Sequence, residues 1–314
     1  MPAEVGLRAV LELARWAPSG DNTQPWRFEV RGEREVVVHG FDTRTHCVYD
    51  LDGHASEMSL GALLETMAIA ATGQGWAMQA RRRTGVPSGR MVFEVRFEPD
   101  EGIRPDELIG CIASRSVQRR AMRTRRLATA EKQALDAAVA PHYRLLWRER
   151  MSERLDMARL LSAIARVRLS MPEGWRVHRE VIEWNARYST DRMPDQSLGV
   201  DALTRRLMRF VLGRWERVRF FNRYLAGTAM PRLQMDLIPG LACGAHFALV
   251  AAREPRTIDD HVAAGRAMQR FWLTATRLGL SLQPAMAPLI FARYLREGRP
   301  FSAELGMEAA LAEG

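Results

Sequence analysis

The densest concentration of residues able to do chemistry in this 314-residue chain is the run Ala14-Arg15-Trp16-Ala17-Pro18-Ser19-Gly20-Asp21-Asn22-Thr23-Gln24-Pro25-Trp26. A helix stopped by Pro18 hands over to a loop carrying a hydroxyl, two carboxamides and free backbone groups. Carboxamides both donate and accept, so such a loop can hydrogen-bond a flat heteroaromatic ring along its edge. The same Pro, Ser, Gly and Asn also compose an ordinary helix-to-strand turn, and spacing alone favours that plainer reading.

Other chemistry is narrowed by what is missing. His39, His46 and His54 sit among Asp42, Cys47, Asp50 and Asp52, but the spacing fits no zinc pattern, and a polar loop between strand and helix accounts for them without a metal. Cys47, Cys111 and Cys243 are odd in number and never spaced as CxxC, which points to neither a disulfide framework nor a structural zinc site. Gly73-Gln74-Gly75 lacks the third glycine of a dinucleotide fingerprint and follows a helix. Lys132 is the only lysine among 46 basic residues, so a P-loop is absent and a Schiff-base enzyme would have to use Lys132. No HExxH or GxSxG motif occurs, and no side chain is assigned a catalytic role. The net charge of +9 is carried by scattered arginines without interleaved aromatics, so nucleic-acid binding is not expected.

The elements that must position these residues follow from hydrophobic periodicity. A composition of 47% hydrophobic and 26% charged residues describes a globular chain of one large domain or two smaller ones. No apolar run approaches the roughly 18 to 20 residues of a membrane span, and the first residues lack the order of a secretory signal, so a cytoplasmic location is expected. Residues 4 to 17 place Leu7, Val10, Leu11 and Ala14 on one helical face. Trp26, Phe28 and Val30 alternate as a strand, Gly32 turns the chain, and Val36 and Val38 return as the second strand of a hairpin. Ser56 is expected to cap a helix carrying Leu60, Leu63, Leu64 and Met67, and Phe93, Val95 and Phe97 form a third strand.

Beyond Pro99 the pattern predicts a short helix over 105–114, a helix over Thr129–Val139, and mostly helix over 151–225. Within that stretch Leu207, Val211, Val218 and Leu225 form a stripe that packs on the protein's own core or lines a cavity, in preference to a membrane surface. Asp259 and Asp260 open a helix with a stripe of Ala264, Met268, Phe271, Trp272, Ala275 and Leu278, and Gly279 suits its C-terminal cap. A short strand over Ser281–Gln283 ends at Pro284. The chain is read as α+β, with related halves over 1–99 and 100–314 and a helical insertion at about 175–240.

The run from Ala14 to Trp26 resembles the signature of the nitroreductase family, FMN-dependent flavoproteins with an α+β dimeric fold. The resemblance implies that Pro18, Ser19, Asn22 and Gln24 contact the flavin, approaching it in that family from the partner subunit. The family's arginine motif for the FMN phosphate normally precedes this loop. Its nearest match here, Ser114-Arg115-Ser116-Val117-Gln118-Arg119-Arg120, lies far downstream. It implies phosphate contacts from Arg115, Ser116 and Arg119, and arginine's planar fork suits phosphate oxygens; a solvated basic loop is the plainer alternative. Pro284, Ala285 and Met286 stand where relatives direct a backbone N–H at flavin N5, although the proline also serves as a strand stop.

The displaced motif order is similar to the Acg-like branch of the family, in which one chain holds two nitroreductase-like halves and a lid. Tyr49-Asp50-Leu51-Asp52-Gly53 and Trp272-Leu273-Thr274-Ala275-Thr276-Arg277-Leu278-Gly279-Leu280 add to the likeness. It implies an internal pseudo-dimer, monomeric or further paired, with one flavin site per chain and a lid at 175–240 whose Trp184, Trp215, Phe220 and Phe221 could cover the flavin. The absence of arginine after Arg299 departs from the family's basic C-terminus and implies weaker phosphate binding. The implied activity passes electrons from NAD(P)H through FMN to an electron-poor small molecule, a nitroaromatic or quinone. The alternative is a flavin-sequestering protein with a closed lid and no turnover.

Overall fold

The computed structural model describes residues 6–303. Helix α1 (Leu7–Ala14) buries Leu7, Val10 and Ala14. The chain then crosses a single turn at Gly20–Asn22 into β1 (Trp26–Val30), β2 (Glu35–Phe41), α2 (His54–Thr72), β3 (Trp76–Arg82) and β4 (Arg90–Pro99). The four strands form an antiparallel sheet in the order β1-β2-β4-β3. Phe28 pairs with Val38 and Val38 with Phe93. This register keeps one row of apolar side chains on the face that packs with Leu60, Leu63, Leu64 and Met67 of α2. Each of these four is almost wholly buried, worth roughly 1.5–3 kcal/mol per side chain.

Strand β3 has no counterpart in the sequence reading. It is the sheet edge; Gln79, Ala80 and Arg81 are exposed, and only Trp76 and Met78 pack against the core, so its alternation is faint. The start of α2 also differs from expectation. The helix begins at His54, and Ser56 lies inside its first turn. The cap is supplied by buried Asp50, whose Oδ1 accepts from the Ala55 and Ser56 amides at 2.9 and 3.2 Å while its Oδ2 accepts from Ser56 Oγ at 2.6 Å. A carboxylate at a helix N-terminus serves the free amides there.

The remaining elements are α3 (Thr129–Val139), β5 (Tyr143–Arg148), α4 (Met151–Arg168), α5 (Pro172–Val181), β6 (Ile182–Glu183), β7 (Met193–Pro194), α6 (Ala202–Leu212), α7 (Trp215–Tyr224), α8 (Ala229–Arg232), α9 (Ile238–Leu241), β8 (His246–Ala251), α10 (Ile258–Arg277) and α11 (Ala287–Arg296). The helix expected over 105–114 is only a 3-10 turn at Ile109–Cys111. Strands β5 and β8 pair antiparallel and pack with α3 and α10; neither was marked by its residue pattern. Ser281–Gln283 is not a strand: Leu282 makes one isolated parallel bridge with Val117. Residues 182–218 gather a small core of their own around Ile182, Leu198, Val200, Leu212 and Val218, into which Trp184 and Trp215 pack. Thr257 and Asp260 cap α10 reciprocally, and Gly279 after its end has φ +71°, as a left-handed cap requires.

Helices α2 and α10 are in intimate contact. A Cβ on Gly61 would collide with the Val262 carbonyl oxygen, and one on Gly265 with that of Met58, so glycine is needed at both crossing points. The two contacts are reciprocal: exchanging Met58 with Val262 and Gly61 with Gly265 leaves them unchanged. The same exchange relates two polar contacts, Gln269 Nε2 donating to Thr66 Oγ1 at 2.9 Å and Arg270 Nε donating to Glu65 Oε1 at 2.7 Å. Val262 and Leu273 of α10 belong to the same apolar cluster as α2 and the four-stranded sheet. Among the described residues no helix is long and apolar enough to cross a membrane.

Candidate functional site

A broad cavity of about 2600 Å³ draws its wall from most elements of the chain, among them Pro18, Ser19 and Asn22, then Arg115, Ser116 and Arg119, then Pro284, Ala285 and Met286. Of the contacts expected from the sequence, Gln24 alone is not in its wall. Ligand pockets usually measure about 300–1,000 Å³, so this space is larger than a site for one small ligand.

Local chemistry places each segment. Asp21, Asn22 and Gln24 all have positive φ, at 49°, 62° and 45°, each a left-handed conformation that non-glycine residues adopt at a cost. The loop is braced from within: Ser19 Oγ accepts from the Gln24 amide at 3.0 Å, and the Gln24 carbonyl accepts from Trp26 N at 2.7 Å. Ser19 thus shapes the loop as well as lining the cavity. The second and third segments are zipped together by the Val117–Leu282 bridge and by Gln118 N donating to the Leu282 carbonyl at 3.0 Å.

Arg115 joins the first two segments. Its Nη2 donates to the Trp16 carbonyl at 3.0 Å, and its guanidinium lies 4.3 Å from the centroid of the Trp272 ring, a cation–π stack. Burial lowers its pKa to about 10, which leaves it charged at neutral pH. The Nε atoms of Arg115 and Arg168, both lining the cavity, are buried with no hydrogen-bond partner. Burial raises the pKa of Asp21, against the opposing charges of Arg168 and Arg119. Asp236 is likewise pushed up to about 6 by burial, opposed by Arg168 and Arg232. Tyr49 Oη and His178 Nε2 lie 3.1 Å apart; burial, then the charge of Arg168, depress the His178 pKa to about 3 and keep the imidazole neutral. Burial drives the Cys47 thiol up to about 12, so it stays protonated.

Arg115, Arg119 and Arg168 all line the cavity, and their positive charge suits an anion, so the residues present fit a phosphate-bearing group. The edge of a ring would find Asn22 already engaged. Its Nδ2 donates to the Arg192 carbonyl at 3.0 Å, and Gln24 Nε2 donates to the Thr190 carbonyl at 2.6 Å. Arg119 Nη1 and Arg120 Nη2 donate to the carbonyls of Ser197 and Gln196 at 3.4 and 3.2 Å. Residues 189–197 of the insertion are therefore tied to both motif segments. Of the four aromatics expected to cover the cavity only Phe221 lines it; Trp184 and Trp215 pack inside the insertion, and Phe220 is 53% exposed. Val218 of the expected stripe is buried, while Leu207 and Leu225 sit exposed at the cavity wall.

Sequence reasoning missed Asp21, Arg168 and Asp236 as members of the site. Asp21 stood inside the motif itself, but nothing distinguishes Arg168 among so many arginines. The three histidines read as one polar loop separate in space. His39 Nε2 meets Glu29 at 2.7 Å, His46 Nδ1 meets the Thr45 hydroxyl at 3.2 Å, and His54 joins Glu57 and His261. The run from Glu304, part of the C-terminus that lacks arginine, lies outside the described residues. No family model and no curated protein matches this chain.

Proposed function

We propose that the chain is an FMN-dependent oxidoreductase of nitroreductase type, passing electrons from NAD(P)H to an electron-poor small molecule such as a nitroaromatic or quinone, in the cytoplasm. The observation that carries this reading is that the motif segments are joined directly: Arg115 Nη2 donates to the Trp16 carbonyl, and Val117 and Gln118 pair with Leu282, two residues before Pro284. The reciprocal contacts of α2 and α10 support the further reading that two nitroreductase-like halves pair within the chain as a pseudo-dimer.

In this reading Arg115 and Arg119 hold the phosphate by charge-assisted hydrogen bonds, with Arg168 adding positive potential. Trp272 fixes the Arg115 guanidinium in place. Asn22 offers its carboxamide to the ring edge once it leaves Arg192. Ala285 and Met286 line the same cavity, and a backbone N–H there would favour electron density on a reduced flavin. Bound FMN supplies the two-electron relay, and the donor and acceptor use the remaining space in turn. The chain's side chains position and tune rather than exchange protons.

The test is a visible spectrum of the purified protein, an FMN titration, and anaerobic addition of NADH or NADPH. Flavin bound one per chain and bleached by either nucleotide is expected. A protein that binds no flavin overturns the proposal. The hydrogen bonds from Asn22, Gln24, Arg119 and Arg120 to residues 189–197 favour a second reading, a flavin-sequestering protein with a closed lid. Tight FMN binding without reduction by either nucleotide would select it.

A further inference from the structure

We propose that His54, Glu57 and His261 form a site for one divalent first-row transition metal ion, with zinc the best match to the donors, clamped between α2 and α10. One ligand atom from each of the three side chains lies within 4.8 Å of the other two. His54 and Glu57 are a helical turn apart on α2, hence on one face, and His261 approaches from α10.

The polar atoms of this cluster are unusually placed. Glu57 and His261 are buried, and Glu57 Oε2, His261 Nδ1 and His54 Nδ1 have no hydrogen-bond partner. Yet His261 Nδ1 and Glu57 Oε2 are only 2.8 Å apart. They are close enough to share a proton and not aligned to do so. Leaving buried polar atoms unsatisfied is costly, and three such atoms at one point are together satisfied by a cation. Ligands at about 2.0–2.2 Å from a tetrahedral zinc ion are themselves roughly 3–3.5 Å apart, so small rotations of the side chains bring this set into range.

The surroundings agree with a metal. The His54 and His261 rings stack with centroids 3.8 Å apart and planes inclined by 27°, an arrangement that two imidazolium cations would oppose; binding one ion turns the rings out of this stack so that their nitrogens converge. Asp52 Oδ2, itself held at 2.8 Å by Arg293 Nη2, lies 3.5 Å from His54 Nδ1 and adds negative charge beside the site. His54 and His261 line the large cavity, which gives the ion a route in. Two histidines and one carboxylate leave a coordination position open on that side, the donor pattern of reactive rather than purely structural sites.

The full-length protein, stripped with chelator, is titrated with zinc in a calorimeter and with cobalt followed by visible absorption. We expect one ion per chain, a rise in Tm on zinc addition, and cobalt bands characteristic of nitrogen and oxygen ligands. Glu57→Gln and His54→Gln should each weaken binding at least tenfold, whereas His39→Gln and His46→Gln should leave it unchanged. His54 is partly exposed, so its variant keeps the test valid if the buried Glu57 variant fails to fold. Failure to bind either ion overturns the proposal. So does binding that survives His54→Gln or is lost with His46→Gln.

Discussion

The side-chain amide of Gln24 donates a 2.6 Å hydrogen bond to the backbone carbonyl of Thr190, joining a loop near the start of the chain to the middle of the helical insertion. Gln24 takes no part in the cavity wall, so this contact holds the insertion and not a ligand. Its neighbour Asn22 does both, lining the cavity and holding Arg192.

Gln24→Leu should therefore loosen this part of the insertion while leaving the cavity wall intact. One net hydrogen bond is worth about 0.5–1.5 kcal/mol, so amide exchange over residues 186–198 should quicken about twofold to tenfold, read by hydrogen–deuterium exchange. Unchanged exchange there would mean that Gln24 is not a latch. In Asn22→Leu the same loosening should come with weaker FMN binding, which separates the two carboxamides.

Arg115→Ala should lower FMN affinity by about 1.5–3 kcal/mol, the range for hydrogen bonds to a charged group. Arg115→Lys keeps the charge but loses the planar fork that stacks on Trp272, so it should recover only part of the loss. Quenching of flavin fluorescence on titration measures both. Equal affinities for wild type and Arg115→Ala would remove Arg115 from the site.

Gly61→Ala and Gly265→Ala should each destabilise the protein by about 1–3 kcal/mol, the usual cost of overpacking. The new methyl in each meets a carbonyl oxygen of the facing helix, and a helix backbone cannot yield as a flexible side chain would. Because the two contacts are reciprocal, the losses in urea unfolding should be similar. Alanine is otherwise a better helix former than glycine, so a stabilised variant would refute the close approach.

Asp236 gives a pH dependence of known sign. Burial raises its carboxyl from 3.8 to about 6, so the folded protein holds this proton more tightly than the unfolded chain does. The stability this group contributes is full below about pH 4, is lost as the pH rises through 6, and is level above. Asp236→Asn abolishes that loss. Relative to wild type it should gain up to about 3 kcal/mol between pH 4 and 7, read from denaturation midpoints across the range. A difference that does not vary with pH would show that Asp236 stays charged throughout.

Periodicity, with end signals, announced α1, the β1–β2 hairpin, α2, β4, α3 and α10. It failed where a strand buries little. Strand β5 buries only Leu145, and the arginines at 144 and 148 blur its alternation. The motif segments of the candidate site were legible because each is a continuous run. Arg168, Asp236 and His261 were not, since only tertiary packing brings them to their partners, and a sequence with one lysine offers no contrast by which to single out an arginine.

Glu57 and His261 hold equivalent places in the exchange that relates Met58 to Val262 and Gly61 to Gly265, and they touch each other. Contacts between equivalent positions fall on the symmetry axis of a paired structure. In two identical subunits such a contact must be like against like, two carboxylates or two imidazoles, each pair repelling when charged. Carrying both partners on one polypeptide lifts that restriction and allows an acid to face a base on the axis. In the proposed pseudo-dimer, an asymmetric centre of this kind is open to a single chain and closed to a homodimer of either half.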